Sequence, residues 1–160
     1  MQYYVLNNVE ILSDLLTVVS SERVKRMGFE FVVVKSALNE KQLAIAVALK
    51  EMGLLKIEEL KDDDTKMLCD HYYLNMSSSE LKNLCYAMHH HLPLMTNDPS
   101  LLHHARKMVQ VSDMHPIVEA LRQRESYEHV ECYLIRHFNK KRFNWVWFRQ
   151  QHTQYQSLAI

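Results

Sequence analysis

Short apolar runs alternate with stretches of helical periodicity along the first two thirds of this chain, and the alternation predicts its architecture. Tyr3, Tyr4, Val5 and Leu6 form a brief β-prone run, after which Ile11, Leu12, Leu15, Leu16 and Val19 recur at helical spacing across 10–19. The run 29–34 (Phe29, Glu30, Phe31, Val32, Val33, Val34) is too short for a buried helix and too continuously apolar for a half-exposed antiparallel strand. It predicts a central parallel strand. A helix follows over 36–52, closed by Gly53 as a left-handed cap, and 54–57 reads as a third strand. Asp62, Asp63 and Asp64 open another helix, since acids stabilise a helix N-terminus; the run predicts a solvated first turn, with Met67, Leu68, Tyr72 and Leu74 as an imperfect apolar face. Residues 77–90 predict a helix, 92–95 a strand, 99–108 a helix and 109–111 a brief last strand, and from about 115 the pattern is purely helical. Strands alternating with helices, joined by connections long enough for crossovers, predict an α/β fold with a parallel sheet.

Composition narrows the class. With 160 residues, 48% hydrophobic, two Gly and three Pro, the chain reads as one domain without irregular linkers or internal repeats. A chain of this size buries roughly 70% of the surface it exposes when unfolded, enough for a sizeable core. No segment reaches the roughly 18 apolar residues of a membrane span, and the N-terminus has neither a basic leader nor a long apolar region. Cys69, Cys85 and Cys132 show no C-x-x-C spacing and cannot all pair, which predicts reduced, buried thiols in the cytoplasm. Formal charge is zero overall but uneven: residues 1–80 hold nine Lys and Arg against thirteen Asp and Glu, whereas 81–160 hold ten against six and nine of the ten histidines. That asymmetry is compatible with an acidic metal site in one part and a phosphate-contacting surface in another.

Three acids stand at element starts. Asp98 directly follows the fourth predicted strand, Glu40 lies in the first turns of the helix after the second, and Glu80 begins the helix leading into the fourth. In an open parallel sheet, ligands bind beyond the carboxyl ends of the strands where the strand order reverses. Several oxygens converging there make a hard-cation site for Mg²⁺ or Mn²⁺, suited to phosphodiester hydrolysis. Each acid also has a local explanation. Ser77, Ser78, Ser79 and Glu80 match a capping box, Asp98 before Pro99 matches an N-cap followed by proline at the first helical position, and Glu40 suits a solvated first turn. Capping and catalysis are compatible roles.

From Glu80 through Ala87 to Leu94, Met95, Thr96, Asn97 and Asp98, then Leu101, Leu102 and Ala105, the chain resembles the PIN-domain ribonucleases, which include the toxins of many bacterial and archaeal toxin-antitoxin pairs. Phe31 to Glu40 resembles that family's strand followed by a helix with the second acid. The resemblance covers roughly residues 3–120. It implies a three-layer α/β/α domain over 1–125, a helical extension over 126–160 packed on it, acids that bind Mg²⁺ or Mn²⁺, RNA as substrate, an antitoxin protein as partner, and a homodimer. Glu40, Glu80 and Asp98 would hold the cation, with Thr96 or Asn97 orienting water or phosphate. The family's first acid, an aspartate ending the first strand, is replaced here by Asn7. An amide oxygen still ligates a cation but removes a negative charge and cannot act as a base. Three explanations compete: a weakened or inactive domain, replacement of the charge by Glu10 one turn on, or an Asn introduced to tame a toxic enzyme. Glu10 by itself reads as a surface residue of the first helix. The rival function is a catalytically inactive module that binds RNA or protein.

Other clusters point elsewhere. His89, His90 and His91, with His103 and His104, invite a transition-metal reading, but adjacent helical residues point about 100° apart, which favours a solvated helix end away from Asp98. Arg106 and Lys107, on the helix opened by Asp98, are candidates for RNA phosphates. The stretch 140–149 joins Lys140, Lys141 and Arg142 to Phe143, Trp145, Trp147 and Phe148, which suits single-strand stacking or an apolar interface. No Gly-rich phosphate loop and no nucleophile elbow occur.

Overall fold

The computed structural model describes residues 2–65, 76–125 and 127–137. Five strands, β1 (Gln2–Leu6), β2 (Phe29–Val34), β3 (Leu55–Glu58), β4 (Leu94–Met95) and β5 (Val111–Ser112), form one sheet in the order β3-β2-β1-β4-β5. Every pairing is parallel, with Val5 opposite both Val32 and Leu94. The chain builds outward from β1 to β3 and then returns to add β4 and β5 on the other side. The strand order therefore reverses between β1 and β4.

Alternation along the strands divides the interior into two cores. Tyr4, Leu6, Phe31, Val33 and Met95 face one layer, closed by α1 (Glu10–Leu15), α3 (Glu40–Glu51), α7 (His115–Arg124) and α8 (Tyr127–His137). Val5, Val32, Val34 and Leu94 face the other, closed by α5 (Ser78–His89) and α6 (Pro99–Ala105). The expected three-layer α/β/α arrangement is the one found. Val130, Tyr133 and Leu134 of α8 are fully buried in the first core. No helix among the described residues is long and apolar enough to cross a membrane.

Departures from the expected elements have local causes. The helix expected over 10–19 stops at Leu15, and a six-residue helix not foreseen, α2 (Ser21–Arg26), follows with Ser20 accepting the Arg23 N–H. Its single buried residue, Val24, is too little for a periodic signal. The helix expected from 36 is broken: a 3₁₀ turn (Lys35–Ala37) precedes α3, whose true start is the capping box of Asn39 and Gln42. Gly53 takes φ +76, the left-handed position expected of it. The fourth strand is confined to Leu94–Met95 and the fifth shifts to Val111–Ser112.

Two burial expectations are corrected. In α4 (Asp62–Thr65), Asp62 and Asp63 are exposed as foreseen, but Asp64 is buried, 1% accessible, because two histidines of the neighbouring helix end meet its carboxylate. Cys85 is buried and unpaired as expected, whereas Cys132, also a free thiol, is exposed on α8. The remaining expectations for 66–75, including Cys69, and for the aromatic stretch 140–149 lie outside the described residues.

Candidate functional site at the strand switch

Beyond the carboxyl ends of β1 and β4 the chain gathers amides, hydroxyls and two carboxylates. Asn7 follows β1 and continues the face of Val5, so its side chain points toward the α5 and α6 layer; Thr96 continues the face of Leu94 toward the same layer. Asn83 is on α5, three residues after Glu80 and hence on the same helix face. Its Nδ2 donates to Asn7 Oδ1 at 2.9 Å, and Asn7 Nδ2 donates to Thr96 Oγ1 at 3.2 Å. Thr96 Oγ1 in turn donates to Asn8 Oδ1 at 3.0 Å, which also accepts the Asn97 backbone N–H at 3.1 Å. Thr96 is wholly buried and Asn83 nearly so, which requires that their polar atoms be paired. The network meets that requirement from within.

The acids sit on the rim of this network. Asp98 caps α6: its Oδ1 accepts the Ser100 N–H at 2.9 Å, Pro99 occupies the first helical position, and its own N–H donates to Thr96 Oγ1 at 3.1 Å. Ser77 caps α5 by accepting the Glu80 N–H at 3.2 Å. Burial pushes the Glu80 carboxyl above its ordinary range, and the nearby Asp98 carboxylate pushes it further; hydrogen bonds from Ser77 and the charge of His104 pull the other way. Glu80 and Asp98 are thus electrostatic neighbours across α5 and α6. Both helices begin at this edge, so the partial positive charge of their first turns faces the acids.

Glu40 stands apart. It is the exposed first residue of α3, whose first turn touches α1 where Gln42 Nε2 donates to Glu10 Oε1 at 3.4 Å. Glu10 is half-buried by that contact, more enclosed than a surface residue of the first helix. Arg106 and Lys107 follow the last residue of α6, at its end away from Asp98, and Arg106 bonds His103 Nδ1 at 2.8 Å. The structure thus brings Asn7, Thr96, Asn97, Asp98 and Glu80 to one place and leaves Glu40, Arg106 and Lys107 at its periphery. Among the described residues, the three-membered group of His, Cys, Asp and Glu donors within 4.8 Å of one another is Asp64, His89 and His90, away from this edge.

Sequence reasoning missed Asn8, Asn83, Asp14 and His137, and it weighed His104 only as a transition-metal ligand, not as a charge beside Glu80. Asn83 carried a usable signal, its position three residues after Glu80. Asp14 and His137 carried none: His137, from the end of α8, bonds Asp14 Oδ2 through Nδ1 at 2.6 Å and pairs through Nε2 with Asn97 Nδ2 at 2.8 Å, contacts spanning 123 and 40 positions.

No protein-family model matches the chain, and no curated protein matches it. Among solved structures it is similar to a chain of VapBC2 from Rickettsia felis, crystallised bound to a DNA fragment from the promoter, with 13% identity and a TM-score of 0.44 over 70% of this chain and 98% of that one.

Proposed function

We propose that the rim beyond β1 and β4 is a weakened PIN-like endoribonuclease centre, in which Glu80 and Asp98, with the amide oxygen of Asn7, hold Mg²⁺ or Mn²⁺ against an RNA phosphodiester. The observation that carries this reading is the meeting of Asn7, Thr96, Asp98 and Glu80 at the strand switch, where an open parallel sheet binds its ligands. The donor set is all oxygen, which suits a hard cation. When bound, such an ion would activate water and neutralise charge on the phosphate.

The chain's own residues supply the rest. Burial and the neighbouring Asp98 carboxylate push the Glu80 carboxyl above its ordinary range, and a positive charge held between the two acids would offset both effects. Thr96 and Asn8 hold the turn 96–98 in place, and Asn97 turns its amide toward His137. Asn7 cannot take a proton from water, so basic assistance falls to Glu80 or Asp98. Glu40, which stands apart on α3, is left out of this ligand set, and Arg106 and Lys107 would hold RNA backbone leading away from the rim. The same reading includes a cytoplasmic chain with an antitoxin partner and a homodimeric state, checked by light scattering with and without a co-expressed partner.

A second reading, a non-catalytic module that binds RNA or protein, is favoured by one observation. The Asn7 amide is already satisfied at both ends by Asn83 and Thr96, so this edge is stable without an ion. Mn²⁺-dependent cleavage of a mixed RNA pool separates the two, using the chain itself, Asn7→Asp, and Asp98→Ala added to Asn7→Asp. Strong cutting by Asn7→Asp that Asp98→Ala abolishes supports the nuclease. No cutting by the chain or by Asn7→Asp overturns it in favour of the module.

A further inference from the structure

At the other end of α5 a second cluster has no part in the strand-switch site. His89 is the last residue of the helix and His90 its cap, nine and ten residues beyond Glu80, or about 14 Å along the axis at about 1.5 Å per residue. Both rings turn toward α4. His90 Nε2 is 3.1 Å and His89 Nε2 3.7 Å from the same oxygen, Asp64 Oδ1. The expectation that adjacent histidines diverge fails here because His90, with φ −92 and ψ 4, has already left the helix.

We propose that Asp64, His89 and His90 form a binding site for a Zn²⁺-like transition-metal dication. Three features argue for it. The Asp64 carboxylate is buried, its Oδ2 is committed to the Lys61 N–H at 2.7 Å, and Oδ1 is left to face both imidazoles. A buried carboxylate requires a positive partner or a strong donor. Two imidazole nitrogens and one carboxylate oxygen are the ligand types zinc takes, and arms of about 2.0–2.1 Å in a tetrahedron set ligand atoms about 3.3 Å apart. The two observed oxygen-to-nitrogen separations bracket that value. The His90 ring is also fixed in orientation, stacked on Tyr86 at a centroid distance of 4.1 Å.

Three protein ligands leave the fourth position to water, so the site is an open one. Cys85, buried on α5, is not one of the group of donors that lie within 4.8 Å of one another. A bound ion would bridge α4 to α5, the helix carrying Glu80 and Asn83. The proposal does not depend on the nuclease reading, since it concerns different residues, a softer ion and a different assay.

The test is titration of the chelator-stripped chain with Zn²⁺ at pH 7.5 by calorimetry, with Co²⁺ absorption as a report on coordination. One Zn²⁺ per chain is expected, with tetrahedral Co²⁺ bands. His89→Gln and His90→Gln, singly and together, should weaken that binding by about tenfold or more. His103→Gln with His104→Gln should leave it unchanged. Both Asp64 partners are partly exposed, so the single variants keep their fold, which circular dichroism verifies. Absence of Zn²⁺ binding by the chain, or equal binding by the His89→Gln/His90→Gln variant, overturns the site and leaves an ion pair.

Discussion

The side-chain amide of Asn83 donates to the side-chain oxygen of Asn7 at 2.9 Å, across 76 positions of sequence. A helix and a strand end are thereby joined at the point where the sheet reverses its order. Asn7 is more than a lost acid: its amide has both a donor and an acceptor, and Thr96 and Asn83 use them in turn. Aspartate there keeps the acceptor and loses the donor.

Asn7→Ala should therefore destabilise the fold by about 1–3 kcal/mol, because the nearly buried Asn83 amide loses its partner. Asn7→Asp should fold, since Thr96 can turn its hydroxyl to donate, but its melting temperature should rise with added Mn²⁺ far more than that of the parent chain. Thermal denaturation with and without Mn²⁺ measures both. Equal Mn²⁺ responses in the two proteins would count against cation binding at this edge.

Glu80 makes stability depend on pH in a defined direction. Its folded pKa is raised, so the folded state holds this proton more tightly than the unfolded chain; the stabilisation is full below the unfolded value of 4.5 and is lost as pH rises through the folded value. Glu80→Gln removes the penalty. The variant should melt higher than the parent at pH 7 without divalent ions, and the gap should close on acidification below about pH 4.5, as the parent's Glu80 becomes protonated in both states. A gap that is constant across that range would point to an effect other than ionisation.

Tyr133 anchors α8 to the first core through a buried bond from its hydroxyl to the Ile11 carbonyl at 2.7 Å. Burial, with Asp14 adding to it, holds its phenol well above the usual range, so it stays a neutral donor. Tyr133→Phe should cost about 1 kcal/mol in chemical denaturation, the net worth of a typical hydrogen bond. Asp14→Ala, which removes the partner of His137, should cost more and should loosen Asn97 as well. Amide exchange at 96–98 would report that loosening.

His91, the residue after the cap of α5, takes φ 53, and Leu92 N–H returns to the Ala87 carbonyl at 3.0 Å, the pattern of a helix closed by a left-handed residue. Side chains pay a steric cost there that glycine does not. His91→Gly should raise stability by about 0.5–1 kcal/mol, measured by urea unfolding. His89 and His90 are untouched by the change, so Zn²⁺ binding should survive it.

Local periodicity and end signals determined the architecture. Five apolar runs alternating with helical patterns led to a parallel sheet, and the continuous run 29–34 marked the strand that β1 and β3 flank. Ser77, Asp98 with Pro99, and Gly53 were legible because caps act within three or four residues of themselves. The position of Asp98 at the carboxyl edge followed from strand and helix order alone. The partners of each side chain did not follow. Asn83 meets Asn7, His137 meets Asp14, and Asp64 meets two histidines because crossovers and layer packing bring distant segments together, and no local pattern encodes such a meeting. A run of three acids looks equally solvated whether or not another helix ends beside it. Only the tertiary structure decided that Asp64 is enclosed, because burial belongs to the space between elements and not to any one of them.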